Sequence, residues 1–260
     1  MTRRVATLVV CGVVASVVGC NYSRPVNGET VVPRQIIDLS PTITEDLPVR
    51  IWGHRALKEL GFSDSTEFRV ISGNDPVYYQ NSYYTLFNHG GPHVDAPNHL
   101  ERGDTRGIDS YNLESLVGPI RLVDVRGSSA DQRVNMSELK AAGVVRGDIV
   151  IMLTGYIAPV KRDELPSIRA LSKEAAEYLA SIPVRAFGTD SLSVDVWGLG
   201  GLPYEQSVHH VFLAHGIPIV EQLTNLEALI ATHGSVFVGL PLKVKGGDGS
   251  PIRAAAFLYY

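Results

Sequence analysis

The 260-residue sequence predicts an α/β fold, a single domain with a mixed, barrel-like β-sheet and peripheral helices. Three observations carry this. Short β-branched and apolar runs recur through residues 35–260 and alternate with short helical patterns. The runs outnumber the helices, which favours a mixed or closing sheet over a regular doubly wound one. No internal repeat is visible, so the strands belong to one core rather than to an array.

Taken in order, Ile36-Ile37-Asp38-Leu39-Ser40, closed by Pro41, reads as the first strand. Further strands are predicted over 121–125, 148–154, 184–189, 217–221, 235–244 and 253–259. A helix capped by Asn135 or Ser137 runs through Ala142 and stops at Gly143. Ser172 caps a second over Lys173–Ser181, before Pro183. A third runs from about Tyr204 to His215 and ends at Gly216.

The N-terminus has a different character. Met1-Thr2-Arg3-Arg4 is followed by an uncharged stretch from Val5 to Val18, the pattern of a signal peptide and too short to span a bilayer comfortably. Val17-Val18-Gly19-Cys20 resembles a bacterial lipobox, in which cleavage before the cysteine leaves a thiol that carries lipid. Residues 1–20 are therefore expected to be a lipoprotein signal ending at Cys20, which becomes the lipidation site. Residues 21–34, with Pro25, Asn27, Gly28 and Pro33, have the composition of a linker. The domain occupies 35–260. The expected location is outside the cytoplasm, anchored to a membrane on its periplasmic or cell-surface side; a retained anchor helix would lead to the same place.

Cys11 and Cys20 are the only cysteines, so the domain has no internal disulfide and must rest on its core. A net charge of −4 and the lack of a basic run argue against nucleic acid as a partner.

The chemistry concentrates in His89-Gly90-Gly91-Pro92-His93-Val94-Asp95-Ala96-Pro97-Asn98-His99, which holds three of the eight histidines. Gly90, Gly91 and Pro92 make poor helix interior, so a loop must present His89 and His93. On an extended segment His93 and Asp95 point to the same side, and Pro97 stops the segment from continuing as a central strand. An imidazole, imidazole and carboxylate set suits a divalent first-row metal, most naturally zinc, with manganese or iron as alternatives. His99, past the proline turn, would sit beside a metal-bound water as general base and acid. A second cluster runs from Val208 to Glu221. On a helix only one of His209 and His210 can face a common centre, and Glu221 ends an apolar strand where a solvated charge would be out of place.

These residues resemble the cyclase-like metal hydrolases, a family that includes bacterial kynurenine formamidase and isatin hydrolase, with the signature His-x-Gly-Thr-His-x-Asp-x-Pro-x-His. The likeness extends to Ile37-Asp38-Leu39-Ser40, to the stretch from Gly188 to Asp195, to His209–Glu221 and to the closing stretch from Pro241 to Pro251. The resemblance implies a swivelling β/β/α fold and one or two metal ions. It implies that His89, His93 and Asp95 hold one ion, that Asp95 bridges to a second held by His209 and Glu221, and that His99 is the acid/base residue. Family members are commonly homo-oligomers. Pro92 stands where the family usually has Thr, removing a hydroxyl and an N–H.

The reaction implied is hydrolysis of the amide C–N bond of an aryl formamide or of a lactam fused to an aromatic ring. The aromatic stretch Tyr78-Tyr79 to Phe87, including Tyr83 and Tyr84, reads either as an aryl-binding wall or as ordinary strand packing, and Trp197 has the same two readings. Ser191 lacks a Gly-x-Ser-x-Gly elbow and reads as a turn residue. The competing class is a metal-binding lipoprotein without catalysis, which would have no use for an unliganded His99.

Overall fold

The structure, a computed structural model, describes residues 32–44, 67–72, 80–101, 103–127, 133–155, 169–195 and 207–259. Cys20, most of the linker, Tyr78, Tyr79, Trp197 and the predicted helix start at Tyr204 lie outside these residues.

Among the described residues, strands β5 (Val117–Asp124), β6 (Ile149–Leu153), β7 (Ala186–Thr189) and β8 (Ile219–Glu221) run parallel, side by side, at the centre of a nine-stranded sheet. Helix α1 (Met136–Ala141) lies between β5 and β6 in the chain, α2 (Lys173–Ser181) between β6 and β7, and α3 (Ser207–Ala214) between β7 and β8. Antiparallel strands flank this centre. Beyond β5 stand β9 (Val236–Val238), β11 (Ala255–Leu258) and β1 (Gln35–Asp38); beyond β8 stand β4 (His93–Asp95) and β10 (Gly249–Pro251).

Strand β6 shows why the central runs are continuously apolar. All five residues, Ile149 to Leu153, are fully buried. Val150 and Met152 pack with Leu139, Leu179 and Phe212 of the helices, whereas Ile149, Ile151 and Leu153 face a second core with Leu39, Val94, Phe237 and Ala256. A parallel strand covered on both faces needs no polar alternation. The second core is enclosed by residues of the sheet's own flanking strands, so the sheet curls into a half-barrel, as the excess of strands predicts.

The helix ends follow their caps. Asn135, not Ser137, caps α1: its side chain accepts from Ser137 and Glu138 N–H, and Glu138 accepts from the Asn135 N–H at 2.9 Å. Ser172 caps α2 by accepting from Ala175 N–H at 3.1 Å.

Several predicted limits shift. The strand predicted over 235–244 stops at Val238, because Gly239 packs on the Phe237 ring and Pro241 has no N–H for a ladder. The first strand closes at Asp38, where the Asp38 carboxylate accepts from Ser40 N–H at 3.2 Å. Strands β2 (Glu67–Ser72) and β3 (Gln80–Thr85), a separate antiparallel ribbon, are absent from the predicted strands; Phe68, Val70, Tyr83 and Tyr84 are exposed there, so these apolar residues do not mark a core face. Strand β10 is Gly-Ser-Pro, a turn composition that becomes a strand only by pairing with β4.

Candidate metal centre

Two sheet pairings assemble the site. Antiparallel pairing of β4 with β8 sets His93 directly opposite Glu221, and β10 places Gly249 opposite Asp95 on the other edge of β4. Because His93 and Asp95 are two apart on a strand, both side chains leave the same face. His89 enters from the preceding turn, where Gly90 N–H bonds the Phe87 carbonyl and Gly91 adopts φ 71°. His209 comes from the first turn of α3 and Glu221 from the last residue of β8. All five side chains are buried.

The facing atoms are close. Asp95 Oδ1 lies 2.7 Å from His89 Nδ1 and 3.2 Å from His93 Nε2, while Asp95 Oδ2 lies 3.5 Å from His209 Nε2. Glu221 Oε1 lies 3.3 Å from His209 Nε2, and Oε2 lies 3.5 Å from His93 Nε2. Ligands around a tetrahedral zinc at about 2.0–2.1 Å stand roughly 3.3 Å apart, so the separations of 3.2 to 3.5 Å suit shared ions, whereas the 2.7 Å His89–Asp95 contact is that of a hydrogen bond. Among the described residues, the groups whose ligand atoms lie within 4.8 Å of one another are His93, Asp95 and Glu221, and His89, Asp95 and His99. His93 Nε2 and Asp95 Oδ2 are buried without a hydrogen-bond partner, and both face the cluster. A buried polar atom left unpaired is costly, and a cation would satisfy both.

The charge balance leads the same way. Burial would push the Asp95 carboxyl up, but His99, His209, His89 and His93 around it outweigh that and hold it well below the carboxylate range. Burial likewise disfavours a charged His89, yet Asp248 and Asp95 lift it to about 9. His209 is raised in the same way, with Asp195, Asp95 and Glu221 outweighing its burial. The cluster therefore demands positive charge, which protons supply where no cation does.

Each histidine is oriented from behind. His93 Nδ1 donates to the Gly91 carbonyl at 2.8 Å, His209 Nδ1 pairs with Asp195 at 2.5 Å, and His89 Nε2 pairs with Asp248 at 2.9 Å. An outer partner that fixes which ring nitrogen faces inward is the usual support of a metal-ligating imidazole. Asp195 also accepts from Val208 and His209 N–H, which caps α3 and fixes His209 with the same carboxylate. His210, one residue on, points elsewhere and pairs with Glu101 at 2.7 Å.

His99 ends the 3-10 turn Pro97–His99 and is only partly buried. Its ring lies over His89, centroids 4.0 Å apart, and Nδ1 is 3.5 Å from Asp248 Oδ2. Burial, with the neighbouring His89 and His209, outweighs the pull of Asp95 and Asp248 and lowers its pKa below the usual imidazole value, which favours the neutral ring that a general base needs.

Of the aromatic residues singled out in the sequence, Phe87 stands against His89 at 5.5 Å. Tyr83 and Tyr84 are instead exposed on the ribbon, where Tyr84 meets Phe68 and Arg69 lies over Tyr83. Ser191 is buried, and its hydroxyl accepts from Ser193 N–H, a turn role rather than a nucleophile's. Sequence reasoning assigned no role to Asp195, Asp248, Tyr111 or Gln222. Tyr111 donates its hydroxyl to the Asp95 carbonyl at 2.9 Å. Gln222, at φ 61°, donates to the His89 carbonyl at 3.2 Å and ties the His89 turn to the end of β8. The Pro92 carbonyl is used, accepting from Ile252 N–H at 2.9 Å.

The Cyclase family model matches residues 37–196. A kynurenine formamidase of Maricaulis maris is 33% identical over 219 residues, covering 84% of this chain and 95% of its own. An isatin hydrolase of Roseibium aggregatum is 27% identical over 204 residues, 71% of this chain and 77% of its own. Among solved structures, an isatin hydrolase bound to the product analogue thioisatinate superposes with a TM-score of 0.69 at 21% identity, covering 87% of this chain and 93% of that one. Sequence signature, half-barrel fold and family match agree, and the chain belongs to the cyclase family, whose matched relatives are hydrolases of C–N bonds other than peptide bonds.

Proposed function

We propose that this chain is a metal-dependent amidohydrolase that opens the C–N bond of an aryl formamide or of a lactam fused to an aromatic ring. The observation that carries the reading is the convergence of five buried candidate ligand side chains, with two orphaned ligand atoms, beside a partly exposed histidine.

His89, His93 and Asp95 would hold one ion, and Asp95, His209 and Glu221 a second; zinc suits this nitrogen and oxygen set, with manganese as the alternative. When bound, the metal supplies Lewis-acid polarisation of the carbonyl and a more acidic water. His99 would take a proton from the attacking water as the water oxygen bonds to the carbonyl carbon, and would return it to the nitrogen as the C–N bond breaks, giving a carboxylic acid and a neutral amine. Asp195, Asp248 and the Gly91 carbonyl hold the ligand imidazoles with one nitrogen inward. Phe87, whose ring lies 5.5 Å from that of His89, would meet an aryl ring of the substrate.

The sequence readings of the ends belong to the same proposal: export, lipid anchoring through Cys20 and assembly as a homo-oligomer, with a small aromatic amide or lactam as substrate. The test is elemental analysis of the isolated protein beside hydrolysis of N-formylkynurenine and isatin, before and after chelation. Bound metal with chelator-sensitive cleavage is expected, and the cleaved compound selects the substrate type. Protein that retains no zinc or manganese after supplementation refutes the proposal.

A further inference from the structure

Asp248 sits between the two functional halves of the site, the ligand His89 and the base His99. Its backbone is pinned on several sides. Its carbonyl accepts from Ala96 N–H, the neighbouring Gly247 carbonyl accepts from Ile108 N–H, and Gly246 N–H donates to the Asp109 side chain at 2.9 Å. Gly249, next in the chain, lies flat under the His89 ring, where a Cβ would come within 2.6 Å of Cε1. The carboxylate is thus placed by the backbone.

Although the side chain is 44% exposed, both oxygens are turned inward. Oδ1 accepts from Asn88 Nδ2 at 2.8 Å; Oδ2 lies 2.9 Å from His89 Nε2 and 3.5 Å from His99 Nδ1. An ionised carboxylate is acceptor only, so a ring nitrogen that faces it must carry the hydrogen. For His89 both nitrogens face a carboxylate, Nε2 that of Asp248 and Nδ1 that of Asp95, so in the metal-free site both carry hydrogen. For His99, whose Nδ1 stands 3.5 Å from the same Asp248 oxygen, a hydrogen bond formed there would place hydrogen on Nδ1 and leave the lone pair on Nε2 to take a proton.

We propose that Asp248 is the positioning residue of the general base: through one oxygen shared with His89, it fixes the ring plane and the tautomer of His99. The assignment rests on the hydrolase reading for the role of His99, but the placement of the hydrogen does not depend on turnover. Asp248 takes no proton itself; it stands beside the imidazolium that His99 becomes during transfer. The 3.5 Å gap is that of a resting site, in which a catalytic hydrogen bond is commonly long and tightens when substrate is bound.

The test is Asp248→Asn in the zinc-loaded full chain, an isosteric change that keeps one acceptor and removes the charge. Three quantities are read: zinc per chain, kcat and KM separately, and the His99 tautomer by long-range proton–nitrogen-15 correlation, assigned by its loss in His99→Gln. Expected are retained zinc, KM within about threefold, kcat lower by on the order of 100-fold, and a His99 ring that is no longer wholly Nδ1–H. A kcat within about threefold of the parent, or a ring still wholly Nδ1–H, overturns the proposal. Zinc lost together with turnover also overturns it, because Asp248 would then act through His89 alone. Should the parent protein cleave neither N-formylkynurenine nor isatin, the substrate reading fails while the tautomer measurement still decides the role of Asp248.

Discussion

Asp195→Asn probes the joint between helix α3 and the candidate metal centre. Asp195 is fully buried and accepts from Val208 N–H at 3.0 Å, from His209 N–H at 3.1 Å and from His209 Nδ1 at 2.5 Å. An asparagine has one acceptor where the aspartate has two. With its amide oxygen at the Oδ2 position it keeps both bonds from His209, but its nitrogen then opposes the Val208 N–H. Stranding that buried donor costs about 1–3 kcal/mol, and losing the negative charge at the helix N-terminus adds about 0.3–1 kcal/mol. The opposite rotamer forces hydrogen onto His209 Nε2, which faces Asp95 and Glu221 and must be free to ligate. The metal-free fold should therefore lose about 2–3 kcal/mol, and zinc affinity at the His209 position about 10–100-fold. Urea unfolding of metal-free protein measures the first, and competition with a chromophoric chelator the second. Loss of one zinc per chain, with the remainder held at parental affinity, would establish two ions in the centre. An unchanged urea midpoint together with an unchanged zinc affinity would refute the coupling of helix cap and ligand.

His99→Gln should lower turnover by about 100-fold or more at unchanged zinc content; zinc lost in parallel would make His99 a ligand. Gly249→Ala puts a Cβ 2.6 Å from His89 Cε1 and 3.0 Å from the Val94 carbonyl, so it should destabilise the fold by about 1–3 kcal/mol and weaken zinc binding. Parental melting and zinc affinity in that variant would show that β10 yields freely. Glu138 closes the α1 capping box and accepts from Arg169 at 2.7 Å; burial raises its pKa, but these bonds outweigh burial and hold it below the usual value. Its stabilisation is thus present above the unfolded pKa of about 4.3 and is lost as pH falls through the lower folded value. Glu138→Gln should cost about 1 kcal/mol at neutral pH and less in acid, whereas equal destabilisation in urea titrations at both pH values would refute that sign.

Much of this architecture is legible in the chain. Ile149–Leu153 is a buried parallel strand because five consecutive apolar residues suit nothing else of that length beside a Gly147 turn. Ser172 and Asn135 mark helix starts because an N-cap needs only its own side chain and the next three amides. Local signals fail where a partner makes the element. Gly249–Pro251 is extended because β4 offers its edge, and in the ribbon of β2 and β3 the one alternating stretch, Glu67 to Val70, is only four residues long and too short to reveal it.

The candidate site divides along the same line. His89, His93, Asp95 and His99 are found from spacing because they share one short segment, and Glu221 because a carboxylate ending an apolar strand is out of place in solvent. Asp195 and Asp248 give no such sign: nothing within a few residues of either shows which imidazole it will face. The sequence by itself determines the fold class, the family signature and the candidate ligand types. Tertiary structure alone decides that His93 lies opposite Glu221, that His209 turns inward while His210 pairs with Glu101, and that two distant carboxylates set the inward nitrogen of two histidines. The physical reason is range. Strand and cap preferences act over a few residues of chain, whereas a hydrogen bond across 159 residues, as between His89 and Asp248, exists only after the sheet has closed.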